Sequence, residues 1–274
     1  MAVQNSVLTN VGAFTALRSL NNINRNLDVA QNRVATGLKV AGALDDASNF
    51  AVAQGLRAEL KAIGSVAQGL NNSKGVGNTA IAGASGISTL LVDLRAKITE
   101  LANEGITTAQ RNILRSDFNA LVSQAANFVA NSVFNGINLL TGATNINTLS
   151  NLAGGNLSLT AQTNVGVQIR SIGGATIATA TNAQSVIANE FDNLQSVVNT
   201  ALGTLGSEVR ALNLQTSFLE QVRDATDEGL GNIVDSDLAR ESARLTSLQV
   251  QQQLSVQTLG IANQRPQALL GLFR

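Results

Sequence analysis

The sequence predicts a mainly α-helical protein, a long helical hairpin or coiled-coil rod formed by the N- and C-terminal halves with a small β-hairpin region in the middle. Three observations predict it. Apolar residues recur at helical spacing through both ends of the chain, in runs too long for a compact globule. Those residues are nearly all Ala, Leu, Val and Ile, with aromatics at 3% and neither Tyr nor Trp present, which suits helices packed at close range. Between Phe134 and about residue 183 the helical period gives way to alternation.

Each element follows from the pattern in order. Leu20, Ile23, Leu27, Ala30 and Val34 step by three and four, a seam of coiled-coil type, and Val3, Val7, Val11, Phe14 and Leu17 continue it upstream. One helix over residues 3–34 would be about 48 Å long, against a radius of gyration of about 19 Å for a compact chain of this size. Gly37 and Gly42 bracket a break, and Asp45, Asp46 and Ser48 offer N-cap oxygens for the next helix. That helix carries Phe50 to Leu70; the stretch Leu70–Gly86 is ambiguous because its Asn and Gly residues lower helix propensity. Ile87 to Leu101 restore the stripe, Glu104–Thr108 reads as a turn, and Ile113 to Val129 form a further helix. Asn156–Gln162 and Val165–Ile172 both alternate and read as paired strands facing outward, where substitutions should be tolerated. Helix returns from Ala183, breaks near Gly229–Gly231, and starts a last time near Ser236 or Asp237.

That last helix has apolar residues on more than one side. Leu238, Leu245, Leu248, Val256 and Leu259 mark one stripe, and Ala243, Val250, Leu254 and Ile261 another. A helix apolar on several sides is buried on several sides, and with a similar helix at the other terminus the expected partners are copies of the same chain. The residues expected to carry self-assembly are Val7, Phe14, Leu17, Leu20, Ile23, Leu27 and Val34 at the start. At the end they are Leu238, Leu245, Leu248, Leu254, Leu259, Ile261, Leu269, Leu270 and Phe273. In the free monomer both ends are expected to be disordered, because a pair of such helices alone recovers too little of the ordering entropy.

Composition excludes most other functions. With no His and no Cys the chain lacks the commonest general base, thiolate ligands and disulfides, so no catalytic residue, metal or cofactor is expected. Zero net charge provides no field for nucleic acid. No window approaches the ~18 apolar residues that span a membrane, and polar faces built from Asn, Gln and Ser rather than Lys argue against a membrane-active helix. The start MAVQNSVLTNVGAF lacks the basic segment and apolar run of a secretory signal. Asp45–Asp46 reads as a helix cap rather than a metal pair, and GLNNSKGVGN lacks the spacing of a phosphate loop. No small-molecule substrate is indicated.

Four segments, in order and concentrated at opposite ends, carry a family likeness: VATGLKVAGALDDASNFAVA (Val34–Ala53), FNGINLL (Phe134–Leu140), IVDSDLARES (Ile233–Ser242) and ANQRPQALLGLFR (Ala262–Arg274). With them the chain resembles bacterial flagellin along nearly its whole length. The resemblance implies an inner assembly domain of residues 1–33 paired with 237–274, a spoke over 34–46, and an outer helical rod over 47–236 with its β region at about 134–183. The large outer domains of longer flagellins should be missing. It implies a structural subunit, not an enzyme, that self-assembles as a homopolymer into the extracellular flagellar filament for swimming, after unfolded export without a cleaved signal peptide. Further partners implied are other flagellins, hook-associated and cap proteins and an export chaperone. O-linked sugar would fall on Ser or Thr of 141–181. The hook–filament junction protein has similar ends, but the fit of ANQRPQALLGLFR and the short middle favour the filament subunit.

Overall fold

The computed structural model describes residues 9–271, of which 265–271 are described by backbone alone. The elements are α1 (Val11–Thr36), α2 (Ala47–Leu101), α3 (Thr108–Asn131), β1 (Ile146–Leu149), β2 (Asn156–Leu159), α4 (Thr163–Gly174) and α5 (Ala180–Val186). A π-helical turn (Ile187–Phe191) leads on to α6 (Asp192–Val234) and then α7 (Leu238–Gly271). The fold is mainly helical with one two-stranded antiparallel sheet, as predicted. Of the first long helix, residues 3–8 lie outside the described residues.

Local chemistry sets most boundaries. The Asn10 side chain accepts from the Ala13 amide at the start of α1, and Gly37 closes that helix at φ 73°, a left-handed geometry natural to glycine. Thr107 and Gln110 form a reciprocal capping box for α3. Asp237 accepts from the amides of Ala239 and Arg240 and so opens α7. At α2 the cap is Asp46, which accepts from the Asn49 amide at 3.0 Å and the Asn49 side chain at 2.7 Å. These bonds, the backbone one first, hold its carboxyl below the usual value. A depressed value means that the cap's contribution is full above the ordinary carboxylate range and is lost as pH falls through the lowered one. We therefore expect the first turn of α2 to fray only as pH falls below the ordinary carboxylate range. Asp46→Ala should remove that part of the pH dependence of the helical circular-dichroism signal.

The structure differs from the sequence reading in four places. The ambiguous stretch Leu70–Gly86 is continuous helix within α2, which runs for 55 residues. Its glycines are points of close approach: Gly75 lies under the Phe134 ring, Gly77 against Val209, Gly83 against Ser132 and Gly86 against Phe128. Val165–Ile172 is not a strand but lies in α4, because Val165, Ile169 and Ile172 also fall at i, i+4 and i+7 and are buried together. The hairpin instead pairs β2 with β1 in the register Ile146↔Leu159 to Leu149↔Asn156. Finally, α6 does not break at Gly229–Gly231 but continues to Val234. Contrary to the expectation for membrane-length segments, α2 contains an 18-residue window with mean hydropathy 1.2, a third of it (33%) buried within the fold. In this helix the apolar line Ile87, Leu91, Leu94 and Ile98 faces a protein core.

Two compact units result, one from the chain before Glu59 and after Asp224, the other from Glu59–Asp224. The second is organised around Phe118, Phe191, Leu70, Leu94, Ile98 and Ile169, all nearly inaccessible. Its hairpin is fastened by polar contacts: Thr160 donates to Glu208 from both amide and hydroxyl, Gln215 donates to the Ser150 carbonyl, and Ser73 meets Thr148.

Candidate self-assembly surface

The first unit is built on α1 and α7. They run antiparallel, since Asn10 Nδ2 donates to the Ala262 carbonyl (2.8 Å), Gln252 Nε2 to Asn24 Oδ1 (2.8 Å), and Arg33 Nη1 lies 3.2 Å from Glu241 Oε1. Beyond the helix ends the backbone continues the pairing: Ser236 donates to the Gly37 carbonyl and Lys39 to that of Val234. The structure draws both ends as helices along their described residues. What holds them is thin. Among the described residues, Leu27, Ala30 and Leu248 form a buried cluster between them, with Ile23 and Leu245 packed beside it.

The structure divides the predicted assembly residues in two. Leu27 and Leu248 are buried between the helices, and Leu20, Ile23, Val34, Leu245 and Leu259 are half-buried. Phe14, Leu17, Leu238, Leu254 and Ile261 instead stand exposed, Leu254 at 56% and Ile261 at 65%. Val7 and Phe273 lie outside the described residues, as do the side chains of Leu269 and Leu270. Exposed Val11, Val250 and Val256 extend the outward set. Val256 therefore does not share the buried face of Leu245 and Leu248, with which its spacing had grouped it.

Two features escaped a search for apolar periodicity. The face that α7 turns to α1 includes Glu241 and Gln252, which sit at the same three-and-four spacing as Leu245 and Leu248. That spacing was the available signal. Glu241 is buried, and among the described residues its Oε2 and the Nε of Arg33 have no partner. The second feature is a loop residue, Leu44, which is fully exposed (104%) between α1 and α2. From Leu245 to Gln264, moreover, α7 has no ionisable side chain.

Helices α1 and α7 are thus apolar on two faces and only partly covered by each other, and comparison with known proteins identifies the family they belong to. A model of the bacterial flagellin N-terminal helical region matches residues 7–145, and one of the flagellin C-terminal helical region matches residues 188–273. The chain belongs to the bacterial flagellin family. It is 35% identical to flagellin FljK of Caulobacter vibrioides, over 98% of this chain and 99% of that one. It is 31% identical to a flagellin of Brucella melitensis over the same shares. A crystal structure of Bacillus cereus flagellin is similar at a TM-score of 0.49 and 21% identity, covering 55% of this chain and 88% of that one. As a flagellin the chain is a structural subunit of the bacterial flagellar filament, and the relatives matched over nearly their whole length, themselves flagellins, favour this over a junction protein.

Proposed function

We propose that this flagellin polymerises through the outward stripes of α1 and α7. Phe14 and Leu17 on α1, with Leu238, Leu254 and Ile261 on α7, meet the same helices of neighbouring copies. The single observation that carries this reading is that α7 exposes large apolar residues at 250, 254 and 261, a helical spacing, while its opposite face is already occupied by α1. The assembly domain is then residues 1–33 with 237–274, the spoke 34–46, and the outer part 47–236. Val7, Leu269, Leu270 and Phe273 belong to the same assembly set. The subunit acts as structure rather than as an enzyme. It works outside the cell, leaves it unfolded without a cleaved signal peptide, and meets an export chaperone, hook-associated and cap proteins and other flagellins on the way.

Seeded polymerisation tests the reading. Purified chain lacking either Ala2–Val34 or Leu238–Arg274 should not extend filament fragments, while the core around Phe118 and Phe191 keeps its helical signal. Normal filaments from either truncation would sink the proposal. Hydrogen exchange offers a second check. Amides of α1 and α7 in the soluble chain should exchange far faster than those around Phe118, because little apolar surface is buried between the two helices.

A further inference from the structure

The two faces of α7 are unequally apolar, and the chain pairs with the poorer one. Toward α1 it presents Glu241, Leu245, Leu248, Gln252, Ser255 and Leu259; away from α1, at the same spacing, it presents Ala243, Ser247, Val250, Leu254, Gln257 and Ile261, with one more apolar residue. The facing seam of α1 carries Leu20, Ile23, Leu27, Ala30 and Val34, with Asn24 and Arg33 beside them. Hydrophobic burial alone, proportional to apolar area, would turn the richer face of α7 inward.

We infer that the contacts Arg33–Glu241 and Asn24–Gln252 choose which face of α7 the chain keeps for itself, reserving the richer face for other copies. Turning α7 by two positions would set Ala243 against Arg33 and Leu254 against Asn24. Neither can accept a hydrogen bond, so two half-buried polar groups would be stranded, each shifting the balance by roughly tenfold or more. Polar residues within a helix seam select one pairing over others in this way, at some cost in stability. The backbone bridge between Leu38 and Asp235 sets the height of the pair. It leaves the facing open, because Ser236 and Asp237 separate it from α7. That the reserved face meets other copies rests on the polymerisation reading above; the choice of face does not.

The chain has no cysteine, so engineered pairs report without background. Leu27→Cys with Leu248→Cys reads the observed facing, since both residues belong to one buried cluster. Leu27→Cys with Val250→Cys reads the turned facing. Each pair is oxidised with copper–phenanthroline in the soluble full-length chain, and the intrachain product is quantified. In the native background the 27–248 product should dominate. With Arg33→Met and Asn24→Leu added, the ratio of 27–250 to 27–248 product should rise at least about tenfold. Arg33→Glu alone should also raise it, and Arg33→Glu with Glu241→Arg should bring it back. An unchanged ratio in the first background overturns the inference. If that variant loses its helical signal, the charge exchange decides, and failure of Glu241→Arg to restore the ratio overturns it equally. These readouts need no polymer. A chain that never polymerises defeats the functional reading alone, and an unchanged ratio in a chain that does polymerise defeats this one alone.

Discussion

Leu254→Asp should stop polymerisation and leave the soluble chain folded. Leu254 is 56% exposed on the outer face of α7, so a carboxylate there is solvated in the free subunit and costs little. Between copies the same group loses the ~1.5–3 kcal/mol that a buried leucine contributes. It also carries a desolvation penalty of several kcal/mol unless it protonates or finds a partner. The penalty recurs at every added subunit. Leu27→Asp should behave differently. Leu27 is buried between α1 and α7, so the substitution should separate the helices before any copy arrives, reducing helical signal as well as polymer. Circular dichroism of the soluble chain, pelleting of shed filaments and swimming together distinguish the two. Loss of helix in Leu254→Asp would contradict the division into inward and outward faces. The general tolerance expected of Asn156–Ile172 does not hold, because Leu159, Val165, Ile169 and Ile172 are core residues. Exposed positions such as Asn156 and Val167 should still accept polar substitutions without loss of filaments.

The second large effect is one of sign. Gly83→Ala should destabilise the chain, whereas Gly64→Ala should stabilise it, although both glycines lie within α2. Alanine in place of glycine favours a helix by up to ~1 kcal/mol. At Gly64 a Cβ meets nothing within 4 Å, so that gain is kept. At Gly83 the Cβ would stand 1.8 Å from Ser132 Oγ and 3.2 Å from Leu140 Cδ1. Swinging the hydroxyl aside breaks its bond to the Phe128 carbonyl at the end of α3. Overpacking of this kind costs about 1–3 kcal/mol, which exceeds the propensity gain. Gly77→Ala, with Val209 Cγ2 at 2.5 Å, should follow Gly83. Urea denaturation of the soluble chain measures all three. A stabilised Gly83→Ala would mean that α2 and α3 are not in close contact there.

The helical ends were legible because their signal is long and repeats: Leu20 to Val34 and Leu238 to Ile261 admit one period only. The middle was less so, for reasons that can be named. Val165, Val167 and Ile169 alternate, yet Val165, Ile169 and Ile172 also fit a helix turn by turn, and a short run cannot separate the two templates. What decides is burial against other elements, which has no local trace. The first strand, INTL, was missed because Asn147 and Thr148 carry no strong alternation. The glycines of α2 read as weak helix when viewed locally, whereas three dimensions show partners pressed against four of them. For the assembly surface the sequence reading found most of the apolar residues but not their sides. Leu248 and Leu254 look alike in one dimension, and the inward partners Glu241 and Gln252 are polar, so a search for apolar repeats passes over them.

The run from Leu245 to Gln264, free of ionisable groups, bears on the water in which a cell swims. Ionic attraction reaches about 30 Å in 0.01 M salt and only about 3 Å at 1 M. The α7 side of the proposed contact has no charges of its own to be shielded, and the hydrophobic contribution to its grip does not weaken as salt is added. Along this stretch the polymer should hold as firmly in brine as in rain water.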